Sequence, residues 1–463
     1  GDLLANLALY HKRENKPVFW RLFDRLSSTD EELEDDLDSF GSLTATGKII
    51  DITSRSRGFE YTFNPNQDTK LKQGDQARVA QDQNLTVTIH RLDIETSSCI
   101  LKSTATELPN FLSLVPFKVV NPGVIEDSIR SIAKNYLQKG IISPCLDNFL
   151  SKSSPRLKIS GPEDLSQWGQ DTVEAATNIA TNLDEGYLCI QGPPGTGKSF
   201  TGSKVIASLV QQGYCVGIAS NSHKAIDNLL ENVVEDLDDQ SINGDICRIN
   251  REDDDFYNSS PRIHRVNSAS EVNLANKYEI YGGTAWCFSN PTFDNVLDYL
   301  FIDEAGQVSL ANVVGMSAST RNLILMGDQM QLSQPTLGTH PGESGTSSLE
   351  YLLGKNRTID QSKGLLLPLS FRLHPKICNF VSQNVYEGRI SAIEKNKSRF
   401  IEPRSQSKYL EASGIKYIEV EHFGNEQSSI EEINTIKEII DEARKSRKKG
   451  FDNDKINDSD ILI

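Results

Sequence analysis

The sequence lacks any apolar stretch long enough to cross a membrane. A transmembrane helix needs about 18 or more consecutive apolar residues, and no such run occurs among the 463 residues. The charged and then apolar leader of a secretory signal is also missing, and the first residue is Gly rather than Met. We therefore expect a protein with no membrane association that is a piece of a longer chain.

Cysteines are few and are not spaced as ligands. The seven cysteines lie far apart, and none belongs to a Cys-x-x-Cys pair, which is the spacing of structural zinc sites and of redox motifs. Several lie in apolar stretches, so we predict buried free thiols in a reducing compartment, the cytoplasm.

An excess of basic residues is absent as well. The chain has 48 Lys and Arg against 64 Asp and Glu, which gives a net charge of −16. This balance argues against a generally basic nucleic-acid coat. It is compatible with a narrow basic binding channel, because some of the acidic residues are concentrated in "DEELEDDLD" at 30–38.

A glycine-rich loop is the clearest motif that is present. "GPPGTGKS" follows an apolar stretch at 187–190 and precedes apolar residues at helical spacing, which is the strand–loop–helix context of a phosphate-binding loop. Lys198 is predicted to reach the β- and γ-phosphates, and Ser199 to bind Mg²⁺. The predicted ATP-binding residues of the loop are Gly192, Pro193, Pro194, Gly195, Thr196, Gly197, Lys198 and Ser199.

A second motif, "YLFIDEAGQ" at 299–307, is an apolar strand that ends in two carboxylates. The end of a parallel strand delivers side chains to the sheet edge where ligands bind. Asp303 is predicted to be a partner of Mg²⁺, and Glu304 a general base that orients the attacking water.

Two further segments complete the predicted nucleotide site. In "LILMGDQMQLSQP", Gln331 follows an apolar strand, so its amide is predicted to contact the γ-phosphate. In "PLSFRLHPKICNF", Phe371 precedes Arg372. Phe371 is predicted to stack on adenine, and Arg372 to act as an arginine finger that neutralises charge on the transferring phosphoryl group.

The hydrophobic pattern changes along the chain. An apolar stripe in the helical region at 1–40 is formed by Trp20, Leu22, Phe23 and Leu26. Apolar and polar residues then alternate at 59–63 and 85–89, which predicts a small antiparallel β-barrel. From about 165 to 350 strands alternate with helices, which predicts a parallel sheet covered on both faces.

The last part of the chain predicts a second α/β unit that is cut short. "GIKYIEV" at 414–420 predicts a strand, and the closing "SDILI" predicts the opening of another. Between them, Ile430, Ile433, Ile436 and Ile440 place one apolar face on a helix.

The order of these motifs resembles that of the superfamily 1 helicases. The matching segments are "GPPGTGKS", "SNSHKAIDNLL", "FIDEAGQ", "GDQMQLSQP" and "SFRLHP". They are most similar to the 5′-to-3′ branch that includes the nonsense-mediated-decay helicase. "FWRLFDRL" and "DEAGQVSLAN" further resemble bacterial proteins that fuse a RecB-like nuclease to such a helicase.

The resemblance implies an α/β fold in which a RecA-like P-loop NTPase domain has an N-terminal small β-barrel accessory domain and a truncated second RecA-like domain. The implied regions are a helical linker following an absent nuclease domain at 1–47, the β-barrel accessory domain at 48–120, a helical stalk or hinge at 121–164, the first RecA-like ATPase domain at 165–360 and a partial second RecA-like domain at 361–463.

The resemblance also assigns residues. Lys198, Glu304, Gln331 and Arg372 match the catalytic positions of the ATPase motifs, and Gln170 resembles the glutamine that reads adenine, although its spacing to Gly192 departs from the family's pattern. The residues that match contacts to the nucleic-acid backbone are Ser220, Asn221, His223 and Thr284. Short polar groups suit phosphates, which need donors but convey no sequence information.

The function implied is that of an ATP-dependent translocase or helicase that moves 5′-to-3′ on single-stranded nucleic acid. The substrate is DNA or RNA, and the likeness to nuclease fusions favours DNA and a nuclease domain in the same parent chain. The C-terminal motifs that supply a second arginine are absent from the sequence. The alternative is therefore a nucleotide-gated nucleic-acid-binding module without efficient turnover.

A third class of function rests on "NKYE" at 276–279, which is close to the guanine-reading Asn-Lys-x-Asp of GTPase switches. Glu279 stands where that motif has Asp, and the segment precedes "DEAGQ" rather than following it. A DEAD-box ATPase is excluded, since residue 306 is Gly and not Asp.

Overall fold

The computed structural model describes residues 1–117, 121–250, 260–403, 407–425, 428–450 and 455–463. Their contacts divide the chain into two units. The first unit contains Gly1–Ala8, Val124–Pro335 and Gly342–Ile463, and the second contains Leu9–Gly123 and Thr336–Pro341.

The second unit is built on a closed antiparallel barrel. Its strands follow one another around the barrel in the order β1-β2-β5-β4-β3-β6, and β6 pairs with β1 to close it. The elements are α2 (Tyr10–Ser27), α3 (Asp30–Asp35), β1 (Phe40–Thr53), β2 (Ser56–Thr62), β3 (Gln76–Val79), β4 (Asp82–Asp93), β5 (Ser98–Ser103) and β6 (Phe111–Pro116); α1 (Asp2–Leu7) precedes them in the first unit.

The alternation of inward-facing and outward-facing side chains along each strand accounts for the barrel. Phe59, Tyr61 and Leu101 point inward and are buried, as are Val87 and Ile89, because successive side chains of a strand face opposite sides. The predicted β-barrel is therefore confirmed. Its first strand begins at Phe40, ahead of the predicted start at residue 48, and residues 118–120 of the predicted range lie outside the described residues.

The apolar stripe predicted on α2 is split between two faces. Leu22 is buried and Leu26 packs beside it, against Leu33 of α3. Trp20 and Phe23 are 64% and 54% exposed. The predicted stripe therefore does not pack as one face, because its Leu22 and Leu26 side is covered by α3 and its Trp20 and Phe23 side is exposed.

The segment Thr336–Pro341 returns to the second unit and is held on α2. The Glu14 carboxylate accepts hydrogen bonds from the backbone N–H groups of Leu337 and Gly338, and it pairs with Nε2 of His340 at 2.6 Å. A Cβ at Gly338 would lie 2.6 Å from the carbonyl oxygen of Arg13. Nothing in the sequence pattern indicated this attachment.

The first unit is built on a parallel sheet of eight strands in the order β10-β9-β11-β8-β12-β13-β7-β14. All described pairings between neighbours are parallel. The elements are α4 (Gly123–Lys139), α5 (Pro144–Leu150), α6 (Thr172–Thr181), β7 (Tyr187–Gln191), α7 (Lys198–Gln211), β8 (Val216–Ala219), α8 (His223–Asp239), β9 (Ile246–Ile249), β10 (Ile263–Val266), β11 (Ile280–Gly283), α9 (Ala285–Phe288), β12 (Leu297–Ile302), α10 (Leu310–Met316), β13 (Thr320–Gly327), α11 (Ser348–Leu353) and β14 (Gly364–Leu366).

Both faces of this sheet are covered. Every residue of β7 is buried. Leu188 and Ile190 pack with α6 and α7 in one core cluster, while the ring of Tyr187 lies 5.7 Å from that of Phe149 on α5. The predicted parallel sheet is therefore confirmed. The outermost strand β14 lies after residue 360, the predicted boundary between the first and the second RecA-like domains. It nevertheless pairs with β7 of the first sheet.

The chain after β14 forms two small sheets of two strands each among the described residues. The predicted strand "GIKYIEV" is wrong, and so is the predicted strand opening at "SDILI", since neither segment pairs with a described strand. Strand-like residues alone do not form a strand, because the backbone needs a partner for its N–H and C=O groups. The elements here are β15 (Leu369–Ser370), α12 (Pro375–Val385), β16 (Ser391–Ala392), β17 (Phe400–Glu402), α13 (Ile430–Ala443) and β18 (Arg447–Lys449).

The predicted helix with an isoleucine face is confirmed as α13, although Ile430, Ile433 and Ile436 are exposed. The partial second RecA-like domain remains a prediction.

The cysteines are free, and six of the seven are buried, with Cys215 half-buried. Burial raises the pKa of the Cys189 thiol to about 12, so that thiol stays protonated and inert. None of the helices in the described ranges is both long and apolar enough to cross a membrane.

Candidate nucleotide and nucleic-acid site

The predicted motifs follow the carboxyl ends of five neighbouring strands. These strands lie in the order β11-β8-β12-β13-β7, and their ends are level: Gly327 pairs with Gln191, and Ala219 pairs with both Ile302 and Gly283. Neighbouring strands are about 4.8 Å apart. The nucleotide motifs after β12, β13 and β7 therefore lie at one sheet edge, directly beside the motifs predicted for nucleic acid after β8 and β11.

The glycine-rich loop has the backbone that its sequence predicts. Gly195 and Gly197 have φ values of 74° and 83°, a left-handed conformation that glycine adopts without a steric penalty. The Thr196 hydroxyl donates to the carbonyl of Pro193 at 2.7 Å, which fixes the turn between them. The helix α7 begins directly after Gly197, so its N-terminus is available to phosphate groups.

Lys198 and Asp303 are close enough to influence each other across the loop. The Lys198 ammonium donates to the carbonyl of Gly192 at 2.8 Å. Burial, together with the neighbouring charge of Glu304, raises the pKa of Asp303 to about 6, against the opposing effect of Lys198. Burial destabilises the ionised form of this carboxylate, and a bound cation would stabilise it. With the Ser199 hydroxyl in the first turn of α7, Asp303 offers the hard oxygen ligands that Mg²⁺ prefers.

Glu304 is held in an uncommon backbone conformation. Its φ of 51° lies in the left-handed region, where residues other than glycine are strained by about 1 kcal/mol or more. Its N–H donates to the carboxylate of Asp303 at 2.9 Å. The turn thereby directs the two adjacent carboxylates differently, since Asp303 is buried and Glu304 only partly so.

Gly306 lets this turn approach the end of β13. A Cβ at this position would lie 2.6 Å from the carbonyl oxygen of Asp328 and 3.3 Å from the amide nitrogen of Gln329. Any larger residue at 306 would collide with backbone atoms there. The absence of Asp at 306, which excluded a DEAD-box motif, is thus also a packing requirement.

Gln331 is part of a hydrogen-bonded group that the sequence did not reveal. Its amide donates to the buried Asp328 carboxylate at 3.2 Å, and the Tyr386 hydroxyl donates to the same carboxylate oxygen at 2.5 Å. Burial and this hydrogen bond raise the pKa of Tyr386 well above its ordinary value. Because Tyr386 caps α12, the helix that follows Arg372, Asp328 connects the Gln331 loop to the Arg372 segment.

Phe371 and Arg372 lie against the glycine-rich loop. The Phe371 N–H donates to the carbonyl of Gly195 at 2.8 Å, and a Cβ added at Gly195 would lie 2.3 Å from the Cβ of Arg372. The Phe371 ring lies near Gly197 and is 51% exposed. The structure therefore brings both predicted residues to the loop.

Gln170 is exposed just before α6, where its N–H donates to the Glu174 carboxylate at 2.7 Å. Its assignment to the adenine remains a prediction.

The residues predicted to contact nucleic acid follow β8 and β11. Ser220 is buried at the end of β8, and the Asn221 amide donates to the carbonyl of Gln307 at 2.5 Å. This bond ties the segment to the turn that contains Glu304. Thr284 directly follows β11 and is half-buried at the start of α9. His223 begins α8, and its Nδ1 accepts from the guanidinium of Arg248 at 3.0 Å.

The segment "NKYE" lies at the amino ends of the strands, opposite the end where the nucleotide motifs lie. Glu279 precedes the amino end of β11, and its carboxylate accepts from the N–H of Asp245. The strands are parallel, so this end is remote from the loop that follows the carboxyl end of β7. The GTPase alternative is therefore wrong.

Sequence reasoning missed the residues that support the site. Asp328, Tyr386 and Asp227 gave no signal, since the Asp328–Tyr386 hydrogen bond joins residues 58 positions apart and Asp227 accepts from Arg248, 21 positions away. Arg248 did give one, because a charged residue interrupts the otherwise apolar strand "ICRI".

Comparison with known proteins gives several likenesses. The family described as "AAA domain" matches residues 170–281. The chain is 23% identical over 391 residues to "DNA replication ATP-dependent helicase/nuclease DNA2" of Xenopus laevis, which covers 80% of the chain and 37% of that protein. It is 30% identical over 182 residues to "DNA replication ATP-dependent helicase/nuclease JHS1" of Arabidopsis thaliana, with 38% of the chain and 13% of that protein covered.

Two further likenesses are to other proteins named as helicases. "Putative ATP-dependent RNA helicase ECM32" of Saccharomyces cerevisiae is 26% identical over 305 residues, with 55% of the chain and 24% of that protein covered. The solved structure of an arterivirus nonstructural protein 10 (helicase) matches 78% of the chain and 60% of that protein at 12% identity and a TM-score of 0.34, a value that supports no conclusion. The chain spans less than two fifths of the length of each of these three curated relatives.

Proposed function

We propose that this chain, a superfamily 1 helicase by its ordered motifs and its relatives, is the ATP-dependent motor of a larger protein and moves along single-stranded nucleic acid. The observation that supports this most is the order of strands at one sheet edge. Three neighbouring strands end in the predicted nucleotide residues, and the next two end in the predicted nucleic-acid contacts.

The residues after β12, β13 and β7 form the nucleotide half of the site, and they fit ATP and Mg²⁺. When bound, ATP with its metal would supply the phosphoanhydride to be cleaved and a cation that offsets its charge. Lys198 and the loop N–H groups would bind the phosphates, while Ser199 and Asp303 would hold the metal. The buried Asp303, with its raised pKa, would then have a cationic partner in addition to Lys198.

Glu304 would accept the proton of the attacking water, because its strained turn keeps it beside Asp303 without burying it as deeply. Gln331 would contact the γ-phosphate, and Arg372 would neutralise charge on the transferring group. Phe371 would stack on the adenine.

The nucleic-acid half would bind the sugar–phosphate backbone without reading bases. Ser220, Asn221, His223 and Thr284 offer small hydrogen-bonding groups, which position a strand but do not specify its sequence. The Asn221–Gln307 hydrogen bond gives a physical route between the halves, since movement of the Glu304 turn would displace Asn221.

We further propose DNA as the substrate, 5′-to-3′ movement and a nuclease domain in the same parent chain. The DNA2 and JHS1 relatives are named as helicase/nucleases of DNA replication, which supports DNA and the nuclease. The ECM32 relative, named as a putative RNA helicase, makes RNA the alternative.

Strand displacement from tailed duplexes tests these assignments. We expect ATP-dependent displacement from a duplex with a 5′ single-stranded DNA tail, and little from one with a 3′ tail. Equal displacement from both would contradict the direction. Preference for an RNA tail would contradict DNA as the substrate, and displacement by Lys198→Ala equal to wild type would contradict the motor.

A second candidate function is a nucleotide-gated binding module without efficient turnover. The two-stranded sheets around and after Arg372 favour it, because an arginine finger needs a firmly folded support to hold its charge in place. Strand binding that responds to ATP without measurable hydrolysis would select this candidate.

A further inference from the structure

Arg248 is a buried charge in the middle of β9. Its side chain is fully buried, and a buried charge is tolerated only when it is paired and hydrogen-bonded. The Asp227 carboxylate on α8 accepts from Nε at 2.6 Å, and the two remaining nitrogens also donate. All three guanidinium nitrogens therefore have hydrogen-bond acceptors. The planar guanidinium of arginine can make this set of bonds, whereas the single ammonium of lysine cannot.

The partners of Arg248 belong to the elements that present the predicted nucleic-acid contacts. One terminal nitrogen donates to the carbonyl of Gly282 in β11 at 3.4 Å, two residues before Thr284. The other donates to Nδ1 of His223 at 3.0 Å and to its carbonyl at 3.5 Å. A single side chain thus joins the start of α8 to the end of β11.

The hydrogen bond to His223 also selects the nitrogen that bears the ring proton. A guanidinium has no acceptor, so it must donate, and Nδ1 must accept. In the neutral ring the proton then lies on Nε2, which becomes the donor nitrogen. A donor at Nε2 is what a phosphate oxygen requires.

We propose that Arg248 is a positioning residue for nucleic acid: it fixes the ring orientation and tautomer of His223 and holds the α8 start in place beside Thr284. The inference rests on the proposed function, because it assigns the support of that same strand-binding surface. Arg248 itself is buried, so it acts through His223 and the backbone rather than by touching the strand.

The test measures binding of a fluorescent oligothymidine to the 463-residue chain at fixed ionic strength. Arg248→Lys keeps the charge opposite Asp227 but cannot make all the bonds, so we expect about tenfold weaker binding, the size of one lost charge-assisted hydrogen bond. Arg262→Lys is the matched control, since Arg262 pairs with Asp238 at the far end of α8 and its change is expected to stay within about twofold.

A double-mutant cycle separates positioning from a general structural role. If Arg248 acts through His223, then Arg248→Lys weakens binding far less in a His223→Ala background than in the wild type. In strand-stimulated ATP hydrolysis, the effect is expected on the strand concentration for half-maximal rate and not on the maximal rate. Strictly additive losses, or a fall in the maximal rate alone, would overturn the inference.

The remaining outcomes are also decisive. Wild-type affinity in Arg248→Lys would overturn the inference and leave the proposed function intact, whereas failure of the wild-type chain to bind any strand would overturn both. If Arg248→Lys does not fold, Asp227→Asn replaces it: the amide keeps the shape and loses the charge that anchors Arg248. A several-fold loss supports the inference, and unchanged affinity overturns it.

Discussion

Replacing Gly306 by Ala adds a single methyl group at the junction of two nucleotide motifs. The new Cβ would lie 2.6 Å from the carbonyl oxygen of Asp328 and 3.0 Å from its carbonyl carbon, well inside the optimal separation of about 3.5–4.0 Å. Both atoms are backbone at the end of β13, so no side-chain rotation relieves the contact. The turn at 303–307 must move instead.

The expected cost is that of overpacking, about 1–3 kcal/mol of unfolding free energy. Alanine also reduces the conformational freedom of the unfolded chain. This stabilises the fold by about 0.4–1 kcal/mol and offsets part of the cost. Because the displaced turn contains Glu304, ATP hydrolysis should also fall by about 10²-fold, the effect of a 1 Å misplacement at a catalytic group.

Urea unfolding and steady-state hydrolysis measure the two effects. Gly244→Ala is the matched control, since its Cβ would meet only side-chain atoms, the nearest being a methyl of Val210 at 3.1 Å, and since the same substitution reduces the freedom of the unfolded chain equally. If Gly306→Ala unfolds at the same midpoint as Gly244→Ala and hydrolyses ATP at the wild-type rate, the close approach of the two motifs is not present in the protein.

Four further predictions follow from the site. Lys198→Ala should abolish hydrolysis, because the phosphates lose their cationic partner, and measurable turnover would refute its role. Glu304→Gln should retain nucleotide binding while hydrolysis stops, which equilibrium binding of a fluorescent nucleotide and a turnover assay would separate. Strand binding should weaken as salt rises and should ignore base sequence; titrations of two unrelated oligonucleotides at several salt concentrations check both. Tyr386→Phe should lower stability by about 1–3 kcal/mol, because the buried Asp328 loses a donor, whereas Tyr417→Phe, at a residue 86% exposed, should not.

The features that the sequence predicted are those governed by local pattern. Alternating residues such as Phe59 and Tyr61 predicted the barrel, since an inward side chain every second residue is a property of the strand itself. The loop at Gly192–Ser199 and the strand that precedes Asp303 were predicted for the same reason, because each motif lies directly beside the strand or helix that identifies it.

The features that it did not predict depend on partners far along the chain. "GIKYIEV" has the composition of a strand, but pairing is decided by another segment, and none of the described ones pairs with it. The Asp328–Tyr386 bond joins residues 58 positions apart, and Arg248 meets Gly282 across 34. Such distances leave no periodic trace in the sequence.

The central claim, that nucleotide and nucleic-acid contacts share one sheet edge and act on each other, is tested most directly by ATP hydrolysis with and without single-stranded DNA. We expect the wild-type rate to rise several-fold when the strand is added, and the Glu304→Gln variant to show no hydrolysis in either condition. A wild-type rate that is unchanged by saturating strand would contradict the claim.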